Sequence, residues 1–168
     1  MMKYHFENER KVKRMAIDFE KFNKEFGGEK AMKELAEAKE NEITEVPSGN
    51  YVCKIDKLQL DETKDNRPKV FIQFRIIEGV HNNQCIFFNG VMAAANPEYN
   101  GFVRHKTLEF LRDLEIFDDS EIDFDGDYRH FNDLLMDMAE ESEGMKFEIR
   151  TYKDKKDYTQ FEVIDVFE

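Results

Sequence analysis

Residues 51–60 read Tyr51-Val52-Cys53-Lys54-Ile55-Asp56-Lys57-Leu58-Gln59-Leu60, and their apolar positions change parity halfway. Tyr51, Cys53 and Ile55 alternate as one face of a strand does, and Leu58 and Leu60 continue on the opposite parity. One extra residue produces such a switch, and a β-bulge of this kind bends the strand that carries it. A bent strand can pair with both halves of a curved sheet, so the rest of the chain is read outward from here.

Downstream, Asp61 to Pro68 is a polar loop, and Val70, Ile72, Phe74 and Ile76 then alternate as a second strand. Gly79 to Asn83 is a turn and Gln84 to Met92 a third strand. After a connection containing Asn96-Pro97, a helix is predicted from Gly101 to about Glu115, with Phe102, Thr107, Leu108, Leu111 and Leu114 on one face. A second helix, Tyr128 to Glu141, places Phe131, Leu134, Leu135 and Met138 in one stripe and stops at Gly144. Met145–Ile149 and Phe161–Phe167 close the chain as two strands joined by a polar hairpin at Lys153 to Asp157.

Upstream, Val46-Pro47-Ser48-Gly49 is a turn that opens this domain. Before it, Asp18 caps a short helix carrying Phe19, Phe22 and Phe26, which the Gly27-Gly28 pair ends. Glu29 to Asn41 follows as an Ala- and Glu-rich helix. Lys11-Val12-Lys13-Arg14 is a small basic cluster read as a solvated end. The expected organisation is a helical extension over 1–45 and a domain over 46–168 with an acidic helical insertion at about 113–143. Three strands, a helical connection and two more strands, with the first strand bent, predict a mainly β fold with helical additions: a five-stranded OB-fold barrel of β-β-β-α-β-β order.

The 168 residues carry 37 acids against 25 bases, a net charge of -12, but the charge is not spread evenly. Residues 113–143 hold 13 acids and a single base, Arg129, which leaves 24 of each sign elsewhere. An acidic balance therefore argues against a nucleic-acid partner only near that segment. The longest apolar run is five residues, Val91 to Ala95, too short to span a membrane, and the N-terminus has no apolar signal core. A cytoplasmic location is expected. Cys53 and Cys85 sit in separate apolar runs and read as reduced packing residues. His5, His81, His105 and His130 form no close pair, and no phosphate loop or nucleophile motif occurs, so neither catalysis nor a cofactor is expected. Setting Gly126 as the glycine of a calcium loop puts Glu121 first and Asn132 last, and both ends fail the ligand requirement, so no metal site is expected.

The outward positions of the second strand carry the functional signal. Phe71, Gln73 and Arg75 face away from the apolar set, and Phe87 and Asn89 do the same on the third strand. Flat rings for stacking and cations for phosphates are what single-stranded nucleic acid requires. The competing explanation is that Phe71 and Phe87 are covered by the N-terminal helices or by a second subunit in a homo-oligomer. Two loops add cations: Lys64, Arg67 and Lys69 after the first strand, and Tyr152, Lys153, Lys155, Lys156 and Tyr158 in the closing hairpin. In the expected fold both loops flank the binding groove on one side of the domain. Tyr152 and Tyr158 bracket the hairpin tip, which predicts that their rings come together across the strands.

Further stretches stand out: Val46-Pro47-Ser48-Gly49-Asn50-Tyr51, Arg67-Pro68-Lys69-Val70, Ile77-Glu78-Gly79, Ile86-Phe87-Phe88-Asn89, Gly101-Phe102, Phe110-Leu111-Arg112-Asp113-Leu114 and Tyr158-Thr159-Gln160-Phe161. In these stretches the chain resembles phage-encoded single-stranded-DNA-binding proteins from the replication and recombination modules of tailed phages of Gram-positive bacteria. The resemblance runs over roughly Ile17 to Glu168 and implies an OB-fold, sequence-tolerant binding of single strands and no catalysis. Bacterial single-strand-binding proteins usually end in a disordered acidic tail that recruits partners. This chain reads as ending inside its last strand, so recruitment through such a tail is not expected. The acidic segment is instead the candidate contact for a basic phage or host replication or recombination protein. The second functional reading is an acidic interaction module whose carboxylates imitate a phosphate backbone and block a basic nucleic-acid-binding partner.

Overall fold

The computed structural model describes residues 17–43 and 46–168, so the Lys11–Arg14 cluster lies outside the described residues. The chain divides into two units, Met1–Ile43 and Thr44–Glu168.

In the first unit, helix α1 (Phe19–Phe26) is capped by Asp18, whose Oδ1 accepts the Lys21 N–H at 3.1 Å. Gly27 closes α1 by donating to Asn23 O, and Gly28, at φ +76°, already opens helix α2 (Gly28–Ile43). The glycine pair is thus a one-residue break between helices rather than a loop. Phe19, Phe22 and Phe26 are exposed.

In the second unit, β1 (Gly49–Glu62) is the centre of a five-stranded antiparallel sheet. Its partners are β2 (Pro68–Ile76), β3 (Cys85–Val91), β4 (Lys146–Lys153) and β5 (Thr159–Phe167), in the order β3-β2-β1-β4-β5. The ladder shifts register between Ile55 and Lys57, so the bulge falls at Asp56, where the sequence changes parity. β1 then serves two neighbours: Gly49 to Cys53 pair with β4, and Cys53 to Glu62 pair with β2. It runs farther than the loop reading allowed, because Asp61 and Glu62 still pair with Lys69 and Pro68, and only residues 63–67 turn.

Val70, Ile72, Phe74 and Ile76 have no exposed surface and form the core side of β2. Phe147 and Ile149 of β4 join them, with Leu111 of helix α3 (Asn100–Asp113) and Phe131, Leu135 and Met138 of helix α4 (Tyr128–Glu141). Phe74 meets Phe110 and Phe147 edge to face at 6.3 and 6.4 Å.

Two expectations are corrected. The sheet is open: β3 and β5 are edges with no ladder between them, and among the described residues the fold is a mixed α/β arrangement of five strands and four helices rather than a closed barrel. Side chains occupy the place of the missing ladder, where Phe88 and Phe161 meet edge to face at 5.6 Å and Phe88 stacks on Phe110 at 4.0 Å. Phe102 also does not share the buried stripe of α3 and is 62 % exposed. It stands nine residues before the fully buried Leu111. At about 3.6 residues per turn that spacing puts the two on opposite sides of the helix. Among the described residues no helix is long and apolar enough to cross a membrane.

Candidate nucleic-acid interface

Because Val70, Ile72, Phe74 and Ile76 take the core side of β2, pleating sends Phe71, Gln73 and Arg75 to the other face. The β2–β3 ladder sets Phe71 opposite Asn89 and Gln73 opposite Phe87. The rings of Phe71 and Phe87 stack diagonally across that ladder, with centroids 6.0 Å apart and planes within 19°. Lys69 Nζ stands 5.9 Å from the Phe71 centroid and donates to Asn89 Oδ1 at 2.8 Å. Lys69, Phe71, Phe87 and Asn89 therefore form one cluster: two parallel rings with an ammonium beside them. Phe87 is 37 % exposed and Phe71 is half-buried, so the platform meets solvent chiefly through the Phe87 ring.

The two arginines assigned to this face are engaged within the chain. Arg75 donates from Nε to Asp56 Oδ2 at 2.5 Å and from Nη1 to Asn83 O at 2.8 Å. Arg67 donates from Nε to Asp65 at 2.8 Å and from Nη1 to Ala93 O at 2.7 Å, which ties the β1–β2 turn to the chain beyond β3. The Arg67 hydrogen bond holds the exposed Asp65 carboxyl down at about 2. Gln73 Nε2 reaches Cys85 Sγ at 3.4 Å, and Lys64 is exposed in the turn.

The hairpin is built on Asp154. Its Oδ1 accepts the N–H groups of Lys156 (2.9 Å) and Tyr158 (3.0 Å), and its Oδ2 accepts Gln160 Nε2 at 3.0 Å. These bonds, that from the Tyr158 N–H foremost, hold its carboxyl below the ordinary 3.8. The ladder pairs Tyr152 with Gln160 rather than with Tyr158, contrary to the expected tyrosine pair. Arg150 instead lies 4.8 Å over the Tyr152 ring and bonds Glu162 at 3.1 Å. Lys153 Nζ donates to Thr159 Oγ1 at 2.8 Å, while Lys155, Lys156 and Tyr158 are exposed at the tip. Along β1 the two cationic loops stand at opposite ends: residues 63–67 follow Glu62, and the hairpin lies beyond the Gly49–Thr151 pair.

Two clefts run along the unpaired edges. The first, about 550 Å³, has Phe87, Lys153, Thr159 and Phe161 in its lining. The second, about 610 Å³, shares Phe87, Thr159 and Phe161 and adds Phe102 and Lys106 of α3. Lys106 Nζ lies 5.3 Å from the Phe102 centroid. The sequence reading missed Arg150 and Lys106 and took Phe102 for core. The four-residue spacing of Phe102 and Lys106, which puts the two on one helix face, was the available signal.

The acidic segment presents its own surface. Arg112 braces it by donating from Nε and Nη2 to Ile122 O at 3.0 and 2.8 Å. A cleft of about 390 Å³ beside Arg112 is lined by Asp113, Glu115, Asp119, Glu162 and Asp165. His130 Nδ1 is 2.7 Å from Asp125 Oδ2, and that hydrogen bond raises the imidazole above its ordinary 6.5. Cys53 and Cys85 are free and buried, and burial pushes the Cys53 thiol up to about 12. Among the described residues no group of three or more His, Cys, Asp or Glu side chains is placed to hold a metal ion.

An open antiparallel sheet with a bent central strand, helices against its core side and an aromatic pair on its outer face defines the class of domain. The chain belongs to the family described as protein of unknown function DUF669, which matches residues 33–158. No curated protein matches it.

Proposed function

We propose that this protein binds single-stranded DNA without sequence selectivity and without catalysis, on the outer face of β2 and β3. The observation that carries the reading is the Phe71–Phe87 stack, with Phe87 exposed, Phe71 half-buried and Lys69 beside them. Stacked rings accept any unpaired base through its π-face, and an ammonium adds phosphate affinity without sequence information. The strand order, with bulged β1 paired to both β2 and β4, supports an OB-fold whose barrel is left open between β3 and β5. A role in phage replication or recombination rests on the resemblance of the sequence stretches described above.

Fluorescence anisotropy with a labelled pyrimidine oligonucleotide tests the reading. The single strand should bind well ahead of a duplex of equal length, and affinity should fall with added salt. Replacing Phe71 and Phe87 together by Ala should weaken binding by about 1–3 kcal/mol per base that loses its ring. Equal affinity for duplex and single strand defeats the reading.

The acidic cleft beside Arg112 favours a second reading, a contact for a basic protein. A phosphate-mimicking module binds no oligonucleotide and displaces DNA from a basic partner in a salt-dependent way.

A further inference from the structure

Carboxylates are sorted away from the seam between β3 and β5. The chain has 37 Asp and Glu residues, yet none of the described ones lines either of the two clefts along that seam. Each cleft instead contains an ammonium group, Lys153 in the first and Lys106 in the second. The cleft beside Arg112 shows the opposite, with five carboxylates in its lining. A groove that lacks carboxylates in so acidic a chain is complementary to an anion.

The ring chemistry of the sheet face recurs at the seam. Lys106 stands 5.3 Å over Phe102 as Lys69 stands 5.9 Å from Phe71. Phe102 is 62 % exposed on a helix whose Leu108, Phe110 and Leu111 are buried. Phe87 links the two places: it stacks on Phe71 and lines both clefts. We infer that a strand bound on Phe71 and Phe87 continues past Phe87 along the β3–β5 seam onto α3, where Phe102 stacks a further base and Lys106 meets its phosphate. This inference rests on the proposed binding of single-stranded DNA and adds a subsite outside the sheet face.

The chain has no Trp, which permits a direct test. Phe102→Trp and Phe87→Trp, in separate full-length variants, each carry a single Trp, excited apart from the six Tyr, whose emission a stacked base quenches. Titration with oligothymidylate should quench both. Phe102→Ala should leave circular dichroism and melting unchanged, because the ring is mostly exposed. It should weaken a strand of about 16 nucleotides roughly 5- to 150-fold while sparing one of about 4, the two ends of the usual site-size range. Lys106→Ala should make the salt slope for the longer strand shallower by about 0.7. Quenching at position 87 without quenching at 102, with full affinity in Phe102→Ala, overturns the subsite and leaves the sheet-face reading standing. No binding of either strand by the wild-type chain overturns both.

Discussion

Arg75 closes on Asp56, the bulged residue of β1, at 2.5 Å across the β1–β2 ladder. The bulge leaves Asp56 out of register, and Arg75 ties its side chain to the neighbouring strand. Arg75 therefore belongs to the architecture of the bend. Arg75→Ala should cost on the order of 1 kcal/mol of folding stability, since the pair is partly buried and charge-assisted. Oligonucleotide affinity should change less than it does in Lys69→Ala. Denaturation and anisotropy on the same two variants check this, and a larger affinity loss in Arg75→Ala returns the guanidinium to the binding face.

At the hairpin, Tyr152 has Arg150 over its ring and is 37 % exposed, whereas Tyr158 is 65 % exposed. Tyr158→Ala should weaken single-strand binding more than Tyr152→Ala, at every salt concentration and with an unchanged salt slope. Replacing Lys155 and Lys156 by Ala should make the slope shallower by about 0.7 for each phosphate that these ammonium groups neutralise. Equal and negligible effects of all four substitutions remove the hairpin from the interface.

The acidic segment is held by its backbone, because Arg112 grips the carbonyl of Ile122 and not a carboxylate. Changing Asp118, Asp119 and Asp123 to Asn and Glu121 to Gln should leave the fold intact. DNA affinity should stay nearly constant or rise slightly as like-charge repulsion is relieved within the Debye length of about 8 Å. A large loss of binding in a folded variant would put the segment in the site.

His130 should titrate above 6.5, because Asp125 accepts its hydrogen bond and Asp127 adds a second negative charge. A raised folded pKa means that the pair stabilises the fold fully below 6.5, and that this contribution is lost as pH rises through the folded value. NMR titration of the wild type and of Asp125→Asn checks the direction, since the variant's imidazole should return toward 6.5. Over the same window the wild type should lose stability relative to Asp125→Asn.

Gly90 sits where β3 meets α3. A Cβ there would lie 2.8 Å from both Phe88 Cε1 and Thr107 Cγ2. Neither neighbour yields freely, because Phe88 is stacked on Phe110 and Thr107 Oγ1 donates to Val91 O at 2.8 Å. Gly90→Ala should destabilise the domain by roughly 1–3 kcal/mol, measured by urea denaturation, as over-packing does.

The bulge, the alternation of β2 and the Asp18 cap were legible because each is written in residues close together in the chain. What escaped depends on distance or angle. Arg75 and Asp56 are 19 residues apart and meet only once the ladder forms, so a cation counted toward the ligand turned out to be bound within the chain. Tyr152 and Tyr158 looked symmetric about the tip, but Asp154 and the turn set a register that gives Tyr152 to Gln160. Phe102 fitted an apolar list for its helix, yet its half-turn offset from Leu111 puts it outside the core. The gap between β3 and β5 is a property of edges far apart in sequence, and no local pattern reports it.

Arg67, Arg75 and Arg150 each close on a carboxylate of the same chain. The cations beside Phe71 and Phe102 are Lys69 and Lys106, ammonium groups that act as point charges and lack the fixed fork of a guanidinium. A phosphate bound to such a charge has no preferred orientation to give up when it moves to the next one. A strand held this way can creep along the protein nucleotide by nucleotide, so the bound state should be a set of interchanging registers rather than one fixed pose.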